Sequence, residues 1–456
     1  MSGGDAMDDP PTIFALSSGR GKAGVAVIRV SGPLAGLVLD RMAAPRPKPR
    51  RAAFRRIVDP SSGELLDAAL VLFFEGPGSE TGEDIAELQL HGSPVVVRAV
   101  LRALGTVSGC RPAEPGEFAR RAFLNGKIDL TAAEGIADLI DAETEAQRRQ
   151  ALAQAGGAFA RLCDDWRAKL LEARAVAEAA IDFSDEGDVA LDALSQARGA
   201  ATALRKAIGQ HLSDGHAGEI VRDGFRVVIA GPPNVGKSSL INALAKREVA
   251  IVSPEPGTTR DVLEAHLDLA DYAVIVADTA GLREAPAPVE QEGVRRAIDR
   301  ARGADLVLWL VDATNPEWAP PARVAFGGER PLIFVNKIDL PPPGSAPFLA
   351  GHLSDPLRIS AQTGDGLSEL LARLSAIVAQ RLEGAAEGLL PTQARHRVAL
   401  ETAADALAQL DGRADLAPEL VAEELRIAAT ALGRITGRID AEEILGQIFG
   451  RFCIGK

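Results

Sequence analysis

Three textures of apolar and polar positions succeed one another along the chain. Residues 12–125 alternate short apolar runs with turn residues. GVAVIRVSGP (24–33), AALVLFFEGPG (68–78) and EDIAELQLHGSP (83–94) each read as a strand closed by Gly or Pro. SPVVVRAVLRAL (93–104) has helical spacing instead, with Ser93 placed to cap it and Pro94 in its first turn. From Leu130 the pattern is helical almost throughout, to IDF at 181–183 and again over DALSQARGAATALRKAIGQHL (192–212). Helical texture returns over 391–449, and between the two helical blocks residues 223–382 alternate strand and helix.

The economical architecture is a mixed α/β and α+β multidomain chain. It has an N-terminal α+β domain (1–125) and a helical domain assembled from two segments (126–222 and 383–456). An α/β domain (223–382) is inserted into the helical one. Such insertions are tolerated because domain termini often lie close together. Two separate helical domains are the alternative.

Composition changes this picture little. At 456 residues, roughly three domains of about 150 residues are expected. Hydrophobic content of 46% and charged content of 25% are ordinary for a globular chain, and only 4% aromatics makes the packing aliphatic. The net charge of −13 argues against a generic nucleic-acid coat. RPKPRRAAFRR (46–56) is a local basic run that reads either as a basic groove or, by preference, as a solvated loop. Cys110, Cys163 and Cys453 are odd in number and lack metal-like spacing, which suits free thiols in a reducing compartment. MSGGDAMDDPP has no apolar run of the secretory kind, and no stretch approaches the roughly 18 apolar residues of a membrane span. A cytoplasmic protein without a membrane partner is expected.

Chemistry concentrates in the α/β segment. FRVVIAGPPNVGKSSLINAL (225–244) is a strand, a Gly-rich turn and a helix start, with G-x-x-x-x-G-K-S from Gly231 to Ser238. Backbone N–H groups of the turn and helix start (Gly231, Asn234, Val235, Gly236, Ser239) are placed to cradle phosphates. Lys237 should reach the β- and γ-phosphates, and the Ser238 hydroxyl should hold Mg²⁺. VIVADTAG (274–281) ends in D-x-x-G, so Asp278 can act on the metal through water and Gly281 can approach the γ-phosphate. LIFVNKID (332–339) ends in N-K-x-D, giving Asn336, Lys337 and Asp339. The Asp339 carboxylate can accept from the guanine ring N–H and amino group, and adenine offers neither. RISAQTG (358–364) supplies a second base-binding loop with Ser360, Ala361 and Gln362. Together these describe an inserted Ras-like P-loop GTPase domain.

The residue after D-x-x-G is Leu282, where a water-orienting glutamine would be needed. Two features offer a substitute. Asn234 brings a side-chain oxygen near the phosphates, and a monovalent cation held there can neutralise developing charge, as an arginine finger does for about 10³–10⁵ in rate. The loop IVSPEPGTTRDV (251–262) offers Thr259 as a second Mg²⁺ hydroxyl and oxygens at Ser253, Glu255 and Thr258 for that cation. The second feature is Glu290 with Glu292, either able to orient water or to remain solvated.

GPPNVGKSSLINAL, PGTTRD, DTAGLRE and NKID, inserted between helical blocks and followed by a terminal FCIGK, resemble the MnmE (TrmE) family of tRNA modification GTPases. AVIRVSGP, TGEDIAELQLHG, RPAEPGEFARRAFLNGKIDLTAAEGIADLI and EAAIDFSDE extend the resemblance over nearly the whole chain. It implies wobble-uridine modification to a 5-carboxymethylaminomethyl or aminomethyl form, with an FAD-containing MnmG-type partner subunit and a tetrahydrofolate one-carbon donor in 5-formyl or methylene form. It also implies potassium-promoted GTP hydrolysis and a homodimer formed through the first domain. Carried over, the potassium ligands fall on Asn234, Ser253, Glu255 (by its carbonyl) and Thr258, and the Mg²⁺ hydroxyls on Ser238 and Thr259. The water-orienting glutamate falls on Glu290, and the folate contacts on Arg29, Glu87, Lys127 and Lys456. The chain departs from the family at GRGKAGVAV (19–27), at Glu80 where an aromatic is common, and at Ser93 in HGS.

The terminal Cys453-Ile454-Gly455-Lys456 has the cysteine-fourth-from-end form of a prenylation signal, but Gly455 is not aliphatic and Lys456 is not a usual last residue. A plain helix end is the second reading. The resemblance favours a third, a tail reaching a functional site, with Cys453 a site residue of unassigned role. An RNA-associated regulatory GTPase of the ribosome-assembly type is the alternative function, and a membrane-anchored GTPase would rest on the tail alone.

Overall fold

A computed structural model describes residues 10–182, 187–213, 215–232, 234–251, 264–278, 303–314, 331–340, 357–385, 390–413, 416–439, 442–452 and 454–455. Two compact units emerge: Met1–Ala137 with Gly433–Lys456, and Asp138–Leu432. The helical segment expected over 383–456 runs across the division at Gly433.

In the first unit β1 (Thr12–Leu16), β2 (Ala23–Ser31), β3 (Ala53–Val58), β4 (Leu65–Phe74), β5 (Ile85–Gly92) and β6 (Cys110–Pro112) form a six-stranded sheet in the order β3-β4-β5-β2-β1-β6. Only β1 and β6 run parallel. Alternation along the strands explains which face is buried. Ile28 and Val30, Val71 and Phe73, and Leu88 and Leu90 are all buried. They pack with Val38 and Leu39 of α1 (Ala35–Met42) and with Val100 and Leu104 of α2 (Pro94–Gly105). The intervening positions, Arg29 and Glu87 among them, point to the opposite face. Ser93 holds the cap position of α2 in extended conformation with Pro94 following, but its side chain makes no capping hydrogen bond. Helices α3 (Glu117–Leu124) and α4 (Leu130–Asp141) follow the sheet in the chain.

The second unit opens with α5 (Glu145–Ala155), α6 (Ala158–Asp182), α7 (Gly187–Ser213) and α8 (Gly215–Asp223). Two signals cut the continuous helical texture. Thr144 and Gln147 form a reciprocal capping box at the start of α5, and Gly157, at φ 75°, separates α5 from α6. β7 (Phe225–Ala230), α9 (Lys237–Leu244), β8 (Glu264–Leu269), β9 (Tyr272–Asp278), β10 (Leu306–Asp312), β11 (Leu332–Asn336) and β12 (Leu357–Arg358) come next. α10 (Leu367–Arg381), α11 (Ala394–Ala408) and α12 (Pro418–Thr436) complete the unit's described elements, the last ending beyond the division.

The second sheet has the order β12-β11-β10-β7-β9-β8. All its pairs are parallel except β8 with β9, an antiparallel hairpin turning through Ala270 and Asp271 at φ 56° and 70°. Positive φ at both turn residues matches the right-handed strand twist. The chain passes from β7 to β9 on one side and then to β10 on the other. That reversal opens a crevice at the carboxyl ends of the strands, where ligands bind in such sheets. Register brings Ile229 opposite Asp278, Ala230 opposite Trp309, and Asp312 opposite Asn336. The motif residues therefore share one edge.

The tail belongs to the first unit. α13 (Glu442–Phe449) buries Leu445, Ile448 and Phe449, which cluster with Phe452, Ala119 and Leu130. Ile454 then forms an antiparallel bridge with Pro115. Gly455, at φ 99°, lies so close to the Leu16 carbonyl that a Cβ would collide with it. Only glycine satisfies both constraints.

Candidate functional site

The phosphate loop is built by backbone shape before side chains matter. Gly231 (φ 149°) passes close to β10, and a Cβ there would sit 2.6 Å from the Leu310 carbonyl oxygen. Asn234 is exposed at φ 61°, in the left-handed region that Asn tolerates. Gly236 (φ 99°) caps α9, and a Cβ there would strike the Asn336 amide nitrogen. Lys237 is buried in the first turn of α9 and donates to the carbonyls of Gly231 (3.1 Å) and Pro232 (3.0 Å). Burial pushes this ammonium below its usual range, opposed in part by the Asp278 charge, so an anion at the loop would strengthen its charged form. Ser238 and Ser239 are exposed on the same helix start, and the Ser238 hydroxyl donates to Asp278 Oδ2 at 2.8 Å. Two hard oxygen donors meeting there suit Mg²⁺.

The base loop is tied to the phosphate loop by one side chain. Buried Asn336 donates from Nδ2 to the Val235 carbonyl (2.8 Å), and its Oδ1 accepts the Ala361 N–H (3.0 Å). Ser360, fully buried, donates to Asp339 Oδ1 at 2.6 Å and accepts the Thr363 N–H. Lys337, at φ 68°, donates to Asp312 Oδ2 at 2.6 Å. Burial alone would raise the Asp312 carboxyl, but bonds from Lys337 and Thr314 hold it below the usual range. Asp312 escaped the sequence reading. Its only signal is an acidic residue closing the buried strand LVLWLVD.

The structure thus brings together Gly231, Asn234, Val235, Gly236, Lys237, Ser238, Ser239 and Asp278, and beside them Asn336, Lys337, Asp339, Ser360 and Ala361. Ser253, Glu255, Thr258, Thr259, Gly281, Glu290, Cys453 and Lys456 lie outside the described residues.

In the first unit Arg29 and Glu87 are rung partners on β2 and β5. The guanidinium donates to Glu87 at 3.2 and 3.3 Å and pairs with exposed Glu80 at 2.9 Å. Lys127 is exposed after α3 and forms no ion pair with either among the described residues. Nearby runs a buried network to which the sequence reading gave no role. Arg121 donates to Glu83 (3.0 and 3.1 Å), Glu117 (3.0 Å) and the Pro11 carbonyl (2.8 Å). Glu117 also takes two bonds from Arg111, and Glu83 accepts from Ser31. Ionisable residues inside the amphipathic segment EFARRAFL were the available signal.

A Gly-rich phosphate loop at a switch point, joined to an N-K-x-D base loop, defines a P-loop GTPase. Two family models match the chain, the TrmE N-terminus of GTP-binding proteins over residues 12–127 and the MnmE helical domain over 130–453. Proteins called tRNA modification GTPase MnmE are 54% identical in Methylorubrum populi (98% of both chains) and 51% in Rhodopseudomonas palustris (98% and 99%), and the human mitochondrial 5-taurinomethyluridine-(tRNA) synthase subunit GTPB3 is 49% identical over 100% of this chain and 95% of its own. The chain belongs to the MnmE family of tRNA modification GTPases.

Proposed function

We propose that this chain is the GTP-hydrolysing component of an enzyme that modifies the wobble uridine of tRNA. It works in the cytoplasm as a homodimer with an FAD-containing MnmG-type subunit. The observation that carries the GTP assignment is the linkage of Asn336 to both the Val235 carbonyl and the Ala361 N–H, with Ser360 fixing Asp339. That linkage couples a phosphate cradle to an acceptor that guanine can fill and adenine cannot.

Lys237 steadies the β- and γ-phosphates, and Ser238 with Thr259 supplies hydroxyls to Mg²⁺, which offsets charge on the phosphates. Asn234, Ser253, Glu255 and Thr258 hold a potassium ion in the place of an arginine finger, and Glu290 orients the attacking water where Leu282 cannot. Asp278 would act on the metal through water, and Gly281 would approach the γ-phosphate. In the first unit Arg29, Glu87, Lys127 and Lys456 contact a tetrahydrofolate derivative. A guanidinium and carboxylates on one sheet face offer both a partner for folate carboxylates and an acceptor for pterin N–H groups. When bound, the folate supplies the one-carbon unit. Cys453 remains a site residue of unassigned role.

Steady-state GTP hydrolysis in KCl and in NaCl at equal ionic strength tests the hydrolytic part. Faster turnover in KCl, lost in Asn234→Ala, is expected. Equal slow rates in both salts would remove the cation from the mechanism.

A further inference from the structure

The basic run 46–56 falls on an exposed edge of the first unit, and we propose that this edge is a contact surface for RNA. The inference rests on the reading that this chain handles tRNA. β3 is the last strand of its sheet, bonded only to β4. Three of the run's cations are engaged by the protein. Arg46 pairs with Asp40 and lies over the Phe73 ring. Arg50 donates to the Gly78 carbonyl and lies over Phe74. Arg55 donates to the carbonyls of Pro45 and Phe54.

The other three, Lys48, Arg51 and Arg56, are exposed, and their side chains make no hydrogen bond or ion pair among the described residues. Between them stands Phe54, 65% exposed, opposite Leu70 at 43%. Phe54 and Arg56 are two apart on one strand and so share a face. Charge on an edge strand also discourages unwanted pairing, and Arg56 alone would serve that end. A protruding Phe does the opposite.

An aromatic platform flanked by unneutralised cations fits a single-stranded loop, whose bases stack on the ring while phosphates meet the charges. On a chain of net charge −13, such a contact must be local. Charge alone would also suit an acidic surface of a second copy; the exposed Phe54 ring among the cations selects RNA, whose bases can stack on it.

The test is binding of a fluorescently labelled tRNA transcript to the full chain across a salt series. Lys48→Gln/Arg51→Gln/Arg56→Gln should weaken binding at least ten-fold. It should also lower the log–log salt slope by about 2, because each phosphate left unneutralised takes about 0.7 from the slope. Phe54→Ala should weaken binding about five-fold or more while leaving the slope unchanged. Both variants should keep the parent's unfolding transition for the first unit in urea, which shows that this unit folds, and should hydrolyse GTP like the parent chain. If the parent binds tRNA and both variants bind equally well, the surface is wrong and the tRNA reading stands. If the parent itself binds no tRNA, both fail. Loss of the dimer in sedimentation with RNA binding intact would assign the edge to a second copy and overturn the proposal.

Discussion

The nucleotide loops and the Arg121 network are both clusters of charged and polar groups, yet they are built oppositely. In the network every charge is spent on another. Arg121 bridges Glu83 and Glu117, Arg111 closes on Glu117, and Ser31 fills a remaining acceptor of Glu83. In the phosphate loop the polar groups rest on weaker partners. Lys237 meets two backbone carbonyls, and Ser238 meets one carboxylate oxygen. A phosphate or a metal ion competes well against such partners, and nothing competes well against a closed salt-bridge network. Burial of charge alone therefore does not mark a binding site; what matters is whether the partners are exchangeable.

The largest expected effect breaks the network. Arg121→Ala leaves Glu83 and Glu117 without their cation and should cost about 3–5 kcal/mol. Thermal or urea unfolding should show loss of the first unit, while GTP binding in the second survives. Failure of GTP binding as well would mean that the two clusters are not independent. Next comes the reverse case. Gly236→Ala forces a Cβ into the Asn336 amide at φ 99°, a strain of about 1–3 kcal/mol. Affinity for a fluorescent GTP analogue should fall at least ten-fold, with the unfolding of the first unit unchanged.

A smaller effect is set by pH. Burial alone would raise the Glu117 carboxyl, but bonds from Arg111, the Glu114 N–H and Arg121 together hold it below its ordinary value of 4.5. Its folded value is depressed, so its stabilisation is complete above the unfolded range and lost as pH falls below about 4.5. Acid unfolding of the first unit should begin there. Glu117→Gln should flatten that limb while lowering stability at pH 7, and an unchanged acid limb would assign it to other carboxylates.

The same contrast explains what was legible in the sequence. Gly231 to Ser238 is one contiguous stretch whose spacing follows from a backbone cradle, so the motif could be read without any tertiary information. The guanine loop was nearly as plain, since Asn336 closes one strand and Asp339 follows it in the next turn. The bond between Lys337 and Asp312 joins two strands through parallel register, and no local pattern announces it. Arg121 and Glu83 stand 38 positions apart in the chain, so the network depends on a fold that periodicity does not specify. Helix ends were hidden for another reason. The uniform helical texture of 130–182 conceals its breaks at Thr144 and Gly157, which depend on capping and positive φ rather than on hydrophobic spacing. At Ser93 the cap was placed correctly but its hydrogen bond is not made.

Nucleotide choice by Asp339→Asn is the most direct measurement on the GTP site. On the proposed reading the native carboxylate accepts from both guanine N–H groups, whereas an amide offers one acceptor and one donor and so matches the C2 carbonyl of xanthine. GTP affinity should fall about 100-fold or more, and XTP should become the preferred nucleotide. Retained preference for GTP over XTP in this variant would show that Asp339 does not read the base, and the assignment of these loops would be wrong.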